Sequence, residues 1–454
     1  MTATDLRLAD LVGTESDNSP AIATEFSAQQ QEAINKIVDW YSGDDSQQVF
    51  RLFGYAGTGK TTLARHIVDQ LGVNALFAAF TGKAAYVLRS KGCDTARTIH
   101  SLIYQPVEKV RARLNELEKQ LAAAIDPSER DLLKRQVTVE AEKLHTPDFI
   151  LREDSELGGA PLLVLDEVSM VGERIAADLL SFGVKILCLG DPAQLPPVEG
   201  GGYFINAQPD HLLTEIHRSA LDSPVTRLAT SVRQSMPGDR TLGMRGMDGD
   251  SGRRPAVSRT EVAGFDQVLV GTNKTRWQAI HLLRSLHGLT GDLPQPGDRV
   301  IGLANSAEAD IFNGQQFTVV DVNANLTDSA KVTMLVEDDS GNQRHVKAWR
   351  CGFTGQEGEK LAKREGRGSV AAMTFAQAIT CHKSQGSQWD RVLVVDESWI
   401  FSRAAASEAM RAGSPADAAA AAGHINGQRW LYTAITRAAA QIVVIESPRG
   451  LPAA

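Results

Sequence analysis

The segment Gln48–Thr62, "QVFRLFGYAGTGKTT", decides the reading of the fold. A short apolar run ends at Gly54 and passes directly into the pattern GxxxxGKT, complete from Gly54 to Thr61. Such a run reads as a buried strand, and the Lys-Thr pair behind the glycines as the opening of a helix. In that setting the glycines let backbone N–H groups approach phosphate oxygens, and the helix N-terminus adds partial positive charge. Gly54, Ala56, Gly57, Thr58, Gly59, Lys60, Thr61 and Thr62 are therefore the expected cradle for a nucleoside triphosphate, ATP. Lys60 is placed to reach the outer phosphates and Thr61 to ligate Mg²⁺. A chance Gly-rich turn does not account for the whole pattern between a strand and a helix.

The same strand–turn–helix rhythm runs from Phe26 to about Ile216. "NALFAAFT", "PLLVLDE" and "VKILCLGD" are further short apolar runs, with helical patterns between them. Continuous apolar runs alternating with helices indicate a parallel sheet with crossover helices, whose ligands bind at the carboxyl ends of the strands. Two acids end one of these strands in "LLVLDEVSM". Asp166 suits the Mg²⁺ shell as a hard oxygen ligand, and Glu167 is placed to polarise an attacking water. Paired acids are common in turns, and it is the phosphate loop that gives this pair its meaning. Asp191 and Gln194 in "GDPAQLPPV" follow the next strand, and Gln194 is placed to sense the γ-phosphate or orient water.

The chain has 454 residues, of which 43% are hydrophobic and 22% charged. That is the composition of a globular protein with roughly two to four domains of about 100–200 residues. No apolar run reaches the length of about 18 residues that spans a bilayer. The first residues, "MTATDLRLAD", lack the basic-then-apolar order of a signal peptide. A cytoplasmic location and no membrane partner are expected. Cys93, Cys188, Cys351 and Cys381 are scattered without a CxxC pair, which argues against a zinc module or a disulfide framework. The net charge of −8 counts mildly against nucleic-acid binding, since many such domains are basic, but does not exclude it, because local positive patches are enough.

Residues 1–24 are polar and aperiodic and read as a loose tail. Val110, Leu114, Leu117 and Leu121 make a helical stripe that Leu133, Val137 and Leu144 resume after "DPSER", with Asp126 as N-cap and Pro127 at the first helical position. Residues 107–145 are thus expected to form an antiparallel helical hairpin, mostly solvated. Residues 237–260 are Gly- and Arg-rich and read as a flexible loop. From Pro296 to Phe353 the period becomes 2: "DRVIGLAN", "QQFTVVDV", "AKVTMLVED" and "QRHVKAWR" read as strands of a small antiparallel barrel, with "DDSGN" a hairpin turn. Asp338 and Asp339 read as residues of that turn. An α/β pattern then returns in "SVAAMTFAQAIT", "DRVLVVDES" and "QIVVIES", and residues 403–424 are Ala-rich, an exposed helix or loop.

This second α/β region carries "TCHKSQGSQWD" and "WLYTAITRA", which place Thr380, His382, Lys383, Gln385 and Arg437 at strand or helix ends. An Arg that reaches the γ-phosphate across a cleft makes hydrolysis depend on domain closure. With "FSAQQQEAI", "FTGKAAYVL", "TIHSLIY" and "LTEIHRSA" in their order, most of residues 26–446 resembles the superfamily 1B DNA helicases of the RecD/Dda type, a stand-alone, phage-like form. The resemblance implies an α/β fold of two RecA-like P-loop domains with parallel sheets. The first would span 25–215, with a helical-hairpin insertion at 105–158. The second would comprise 216–295 and 369–454, with an SH3-like β-barrel insertion at 296–368. It implies that Gln30 reads the adenine edge and that Gly386 joins the nucleotide site. It further implies that Lys60, Glu167, Gln194, Arg218 and Arg437 carry hydrolysis, both arginines being drawn onto the γ-phosphate. Thr81, Lys83, Thr98, His100, Thr380, His382 and Lys383 would contact DNA.

The implied activity is ATP- and Mg²⁺-dependent translocation, 5′ to 3′, on single-stranded DNA, with unwinding at single-strand/duplex junctions. The chain would act as a monomer alongside single-strand-binding, replication or recombination proteins. The alternative is an ATP-gated DNA-binding remodeller that recruits repair or recombination partners without unwinding. One motif departs from the family: Gln388 stands where relatives often have Glu, so a carboxylate that bonds a ribose becomes an amide. His100 reads either as a core histidine or as a DNA contact, and Tyr432 as packing near the adenine or simple burial. Trp277, Phe375 and Trp389 read as core. The strand-separating wedge falls either on 107–145 or on 147–160.

Overall fold

The computed structural model describes residues 26–452 except 44–46, 124–126, 144–148, 197–201, 217–221, 240–241, 245–250, 305, 307–308, 310, 324–327, 340 and 366–368. The expected tail at 1–24, the cap at Asp126, Leu144 and Arg218 lie outside the described residues.

The apolar run before the phosphate loop forms the strand Val49–Gly54. It lies inside a six-stranded sheet in the order Arg97–Thr98, Leu76–Ala79, Leu163–Asp166, Ile186–Gly190, Val49–Gly54, His211–Leu213, with every pairing parallel. Alternate side chains of one strand serve opposite faces. Phe50 and Leu52 pack with Ile34, Leu63 and Ile67 from the helices Ala28–Ser42 and Lys60–Leu71. Val49 and Phe53 pack with Ile99, Leu102 and Leu179 on the other face. Burial on both faces is why these strands are apolar without alternation.

A second parallel sheet runs Ala378–Thr380, Gln267–Val270, Trp389–Val395, Ala438–Ile445, Gly252–Arg254. Its last strand falls in the Gly/Arg-rich stretch expected to be a loop. Gly252, Arg253 and Arg254 instead pair with Val443, Val444 and Ile445, because an edge strand needs backbone partners rather than an apolar pattern. The Ala-rich region is helical and largely exposed, as one of the two expectations had it: Ser398–Arg411 and Ala416–Ile435 pack on each other, and Gly423 and Gly427 let the backbones approach.

The third sheet runs Val370–Ala371, Gln343–Trp349, Lys331–Glu337, Gln316–Val322, Arg299–Gly302, Met373–Phe375. All its pairs are antiparallel except the one with Val370–Ala371. Its two edge strands are consecutive in the chain, separated by Ala372 alone, so the sheet must curl back on itself. The return to the parallel sheet expected at residue 369 therefore comes only at Ala378. The run "VAAMTF" is apolar except for Thr374 and fits either sheet by pattern, but its backbone pairs with Lys347 and Ala348 and with Val300, Ile301 and Gly302 of the antiparallel sheet.

The insertion of the first half forms two helices, Val107–Ala123 and Pro127–Lys143, which pack on each other. They stand on a two-stranded antiparallel ribbon of Tyr104–Pro106 and Phe149–Leu151. Among the described residues no helix is long and apolar enough to cross a membrane.

Candidate functional site

The carboxyl edge of the first sheet brings the phosphate loop, Asp166, Glu167 and Asp191 to one place. Gly54 ends its strand where a Cβ would come within 2.6 Å of Thr58 Oγ1 and 2.9 Å of Leu213 Cβ, so the loop turns there only with glycine. The helix Lys60–Leu71 begins after Gly59 in a left-handed conformation, φ 78°, without a side-chain cap. Its first-turn N–H groups are the kind of donors that hold an anion. Lys60 Nζ donates to the carbonyls of Gly54 at 2.6 Å and Tyr55 at 3.2 Å, folded back over its own loop. Thr61 Oγ1 donates to Asp166 Oδ2 at 3.1 Å, and Thr62 lies exposed in the first helical turn.

Gln30 braces the loop from behind. It is 3% exposed; its amide oxygen accepts from Ser27 N at 3.1 Å in a capping box, and its Nε2 donates to Thr58 O at 3.1 Å. Both ends of the amide expected at the adenine edge are engaged in this way.

Burial holds the Asp166 and Asp191 carboxyls above the usual carboxylate range. The neighbouring Glu167 pushes Asp166 further up, whereas Lys60 and the Tyr432 hydroxyl pull Asp191 back. Glu167 itself has φ 54°, a strained conformation for a residue with a side chain, and its N–H donates to Asp166 Oδ1 at 2.8 Å.

The other wall of the cleft comes from the second parallel sheet. Arg437, 4% exposed, places Nη1 3.8 Å from Glu167 Oε1. Its Nε donates to Thr433 O at 3.1 Å, which fixes the side chain along its own helix end. Gln194 lies between them: with its nitrogen turned to the acid, it donates to Glu167 Oε2 at 3.2 Å and accepts from Arg437 Nη2 at 3.2 Å. Leu195 N donates to Thr433 Oγ1 at 2.8 Å, and Gln385 Nε2 donates to Leu195 O at 2.8 Å. Gly386 turns with φ 73° against Thr81, where a Cβ would lie 2.5 Å from Thr81 Oγ1. Together these groups enclose a pocket of about 220 Å³ that also reaches Gln388 and Thr436.

A second cavity, of about 200 Å³, lies between the helix Gly82–Ser90 and the antiparallel sheet. Lys83, Arg89, Arg97, Thr98 and Ser101 line one wall; Phe312, Gln315, Asp338 and Asp339 line the other. Lys83 Nζ is 3.1 Å from Asp339 Oδ2 and 4.7 Å from the Trp389 ring centroid. Asp339 is therefore more than a turn residue: it joins the two halves. Asp338 does serve its turn, accepting from Asn342 N and pairing with Arg344.

Thr81 caps its helix by accepting from Ala84 N, and Thr98 caps the helix Ile99–Ile103 by accepting from Ser101 N. His100 lies against Phe80 and Tyr104, and burial pushes its pKa down. In the second half, Thr380 is half-buried at a strand end, and His382 packs against Phe401. Lys383 is half-buried, its ammonium pushed down to about 7 by burial and then by Lys363 and Arg276. Trp277, Phe375 and Trp389 are buried.

Thr433 has no place in the sequence reading, and Tyr432, read there as packing near the adenine or as simple burial, takes a different part. Tyr432 bonds both Ala56 and Asp191, so it lies at the phosphate loop. The available signal is the polar groups at 432, 433, 436 and 437, which cluster at the end of the helix Ala416–Ile435 and just beyond it.

Residues 25–252, half of the chain, match the family model described as AAA domain. The chain belongs to the AAA-domain family. No sequence among the curated proteins matches it. Among solved structures, the crystal structure of Pif1 helicase from Bacteroides in complex with ADP-AlF3 and ssDNA is similar, with TM-score 0.50 and 19% identity, covering 94% of each chain. Bacteroides Pif1 bound to ssDNA gives 0.48 at 18% identity, covering 94% of each chain. Pif1 helicase from Candida albicans gives 0.46 at 18% identity, covering 95% of this chain and 97% of that one. The first likeness is one of fold: the AAA domain provides the first of two RecA-like parallel sheets, and the second follows it in the chain.

Proposed function

We propose that this AAA-domain protein is an ATP-driven DNA helicase of superfamily 1B that moves 5′ to 3′ on single-stranded DNA. The observation that supports this best is the composition of the larger pocket, where Arg437 of the second half stands 3.8 Å from Glu167 beside Lys60 of the first. A site assembled from both halves lets hydrolysis follow their approach. The fold shared with a protein solved with ADP-AlF3 and ssDNA agrees with that reading.

In this account Lys60 leaves its two carbonyl partners to take the outer phosphates of ATP. Thr61 and Asp166 fit Mg²⁺, since their adjacent oxygens are the hard donors it prefers. When bound, that ion neutralises phosphate charge. Glu167 polarises the attacking water, Gln194 holds Glu167 and Arg437 in register, and Arg437 meets the γ-phosphate charge. Arg218 would add a second cation. DNA would lie along the groove of Lys83, Arg89 and Arg97, and on past Thr380, His382 and Lys383. The helical hairpin on its ribbon is the candidate wedge, and the curled antiparallel sheet takes the place of the SH3-like insertion.

Strand displacement from duplexes with a 5′ tail or a 3′ tail tests activity and polarity together. Displacement of the 5′-tailed substrate alone is expected. Displacement from the 3′ tail alone would overturn the direction, and ATP-dependent binding without displacement would favour a gripping remodeller.

A further inference from the structure

The helix Ala416–Ile435 places Tyr432, 1% exposed, behind Ala56 and Asp191, two residues that line the nucleotide pocket. Its hydroxyl accepts from the backbone N–H of Ala56 at 2.8 Å and donates to Asp191 Oδ2 at 2.8 Å. The amide N–H is only a donor and the carboxylate only an acceptor, so the single phenolic proton has one arrangement that satisfies both. One hydroxyl of the second half thus joins the phosphate loop to the end of a strand in the first. Arg233, also from the second half, stacks its guanidinium 3.7 Å from the ring centroid of Tyr55, the residue before Ala56. Arg437 follows Tyr432 by little more than one helical turn, anchored to Thr433. The phosphate loop and the arginine that faces Glu167 are therefore connected through one short, buried helix end.

We propose that Tyr432 is a positioning residue that couples the phosphate loop to the docking of the second half, so that nucleotide occupancy is transmitted to the DNA groove through its hydroxyl. This rests on the reading of the chain as a nucleotide-driven DNA motor. A phosphate entering the loop bears on the backbone that Tyr432 holds at Ala56. The hydroxyl carries that strain to the helix of Thr433 and Arg437, which also contacts Leu195. Removing the oxygen leaves the ring in place, and the Ala56 N–H and one Asp191 oxygen lose their bond to it.

The test is the full chain with Tyr432→Phe. The affinity for a fluorescent oligo-dT is measured with and without AMP-PNP and Mg²⁺. Linkage of this kind is commonly about 5–150-fold. In the wild type the nucleotide is expected to shift DNA affinity within that range. In Tyr432→Phe the shift should collapse to about two-fold or less, with nucleotide-free DNA affinity unchanged and the melting temperature within a few degrees. A residue that only packs would lower the melting temperature and leave the linkage intact, and that result overturns the proposal. No linkage in the wild type would overturn the motor reading itself. If the variant does not fold, hydrogen exchange of the wild type decides. AMP-PNP should alter protection both at 54–62 and at 424–433, and a change confined to 54–62 overturns the proposal.

Discussion

Lys83 Nζ and Asp339 Oδ2 stand 3.1 Å apart, joining the first parallel domain to the tip of a hairpin in the antiparallel sheet. If Lys83 receives a DNA phosphate, the carboxylate has to give way. Asp339→Asn should therefore tighten binding of oligo-dT, and Lys83→Ala should weaken it. The pair is partly solvated, 17% and 46% exposed, so removing the competing charge should gain no more than about five-fold. Fluorescence anisotropy at fixed salt measures both. Weaker binding by Asp339→Asn would show the carboxylate to be part of the DNA surface.

Arg437 and Glu167 meet from opposite walls of the pocket at 3.8 Å. An arginine that stabilises the transferring phosphoryl group contributes about 10³-fold or more to turnover. Arg437→Ala should lower kcat by about that factor while nucleotide binding stays within a few-fold. Single-turnover hydrolysis and equilibrium titration with a fluorescent nucleotide separate the two. Equal losses in both would make Arg437 a binding residue.

Lys383 is pushed down to about 7 from an ordinary 10.5, first by burial and then by Lys363 and Arg276. Between these values the unfolded chain holds the extra proton, so this group makes stability rise with pH across the window. DNA binding should run the other way. Only the charged ammonium attracts a phosphate, so affinity should be constant below about pH 7 and fall above it, by up to about ten-fold per pH unit. Lys383→Arg keeps its charge and should flatten the profile. A wild-type profile that is already flat would remove Lys383 from the interface.

Deleting the helical hairpin, residues 107–145, leaves the two ribbon strands to be joined through a short Gly-Ser link. The hairpin packs on itself and its ribbon, so the loss should not disturb the nucleotide pocket. Strand displacement should vanish while DNA-stimulated ATP turnover persists. Normal displacement would move the wedge to 147–160 or elsewhere.

The sequence makes some of this legible and hides the rest for identifiable reasons. Leu163–Asp166 and Ile186–Gly190 are apolar on both faces because both faces are covered, so strand, acid and loop can be read in order. Val370–Phe375 is buried and apolar but for Thr374, and pattern alone does not say which sheet its backbone joins. Gly252–Arg254 has no apolar pattern and joins the sheet edge by backbone pairing and by the ion pairs of Arg253 with Glu446 and Arg254 with Glu261. Gln30 lies behind the phosphate loop and directs its amide at Ser27 and Thr58. The contacts of Lys83 with Asp339 and of Tyr432 with Ala56 join distant parts of the chain, and no local periodicity encodes them.

The central claim is that ATP hydrolysis in the pocket between the two halves answers to DNA in the groove beside it. Steady-state ATP turnover of the purified chain, with and without saturating oligo-dT, tests it directly. Turnover is expected to rise by an order of magnitude or more with DNA, and to be absent in Lys60→Ala under both conditions. Equal turnover with and without DNA would contradict the account.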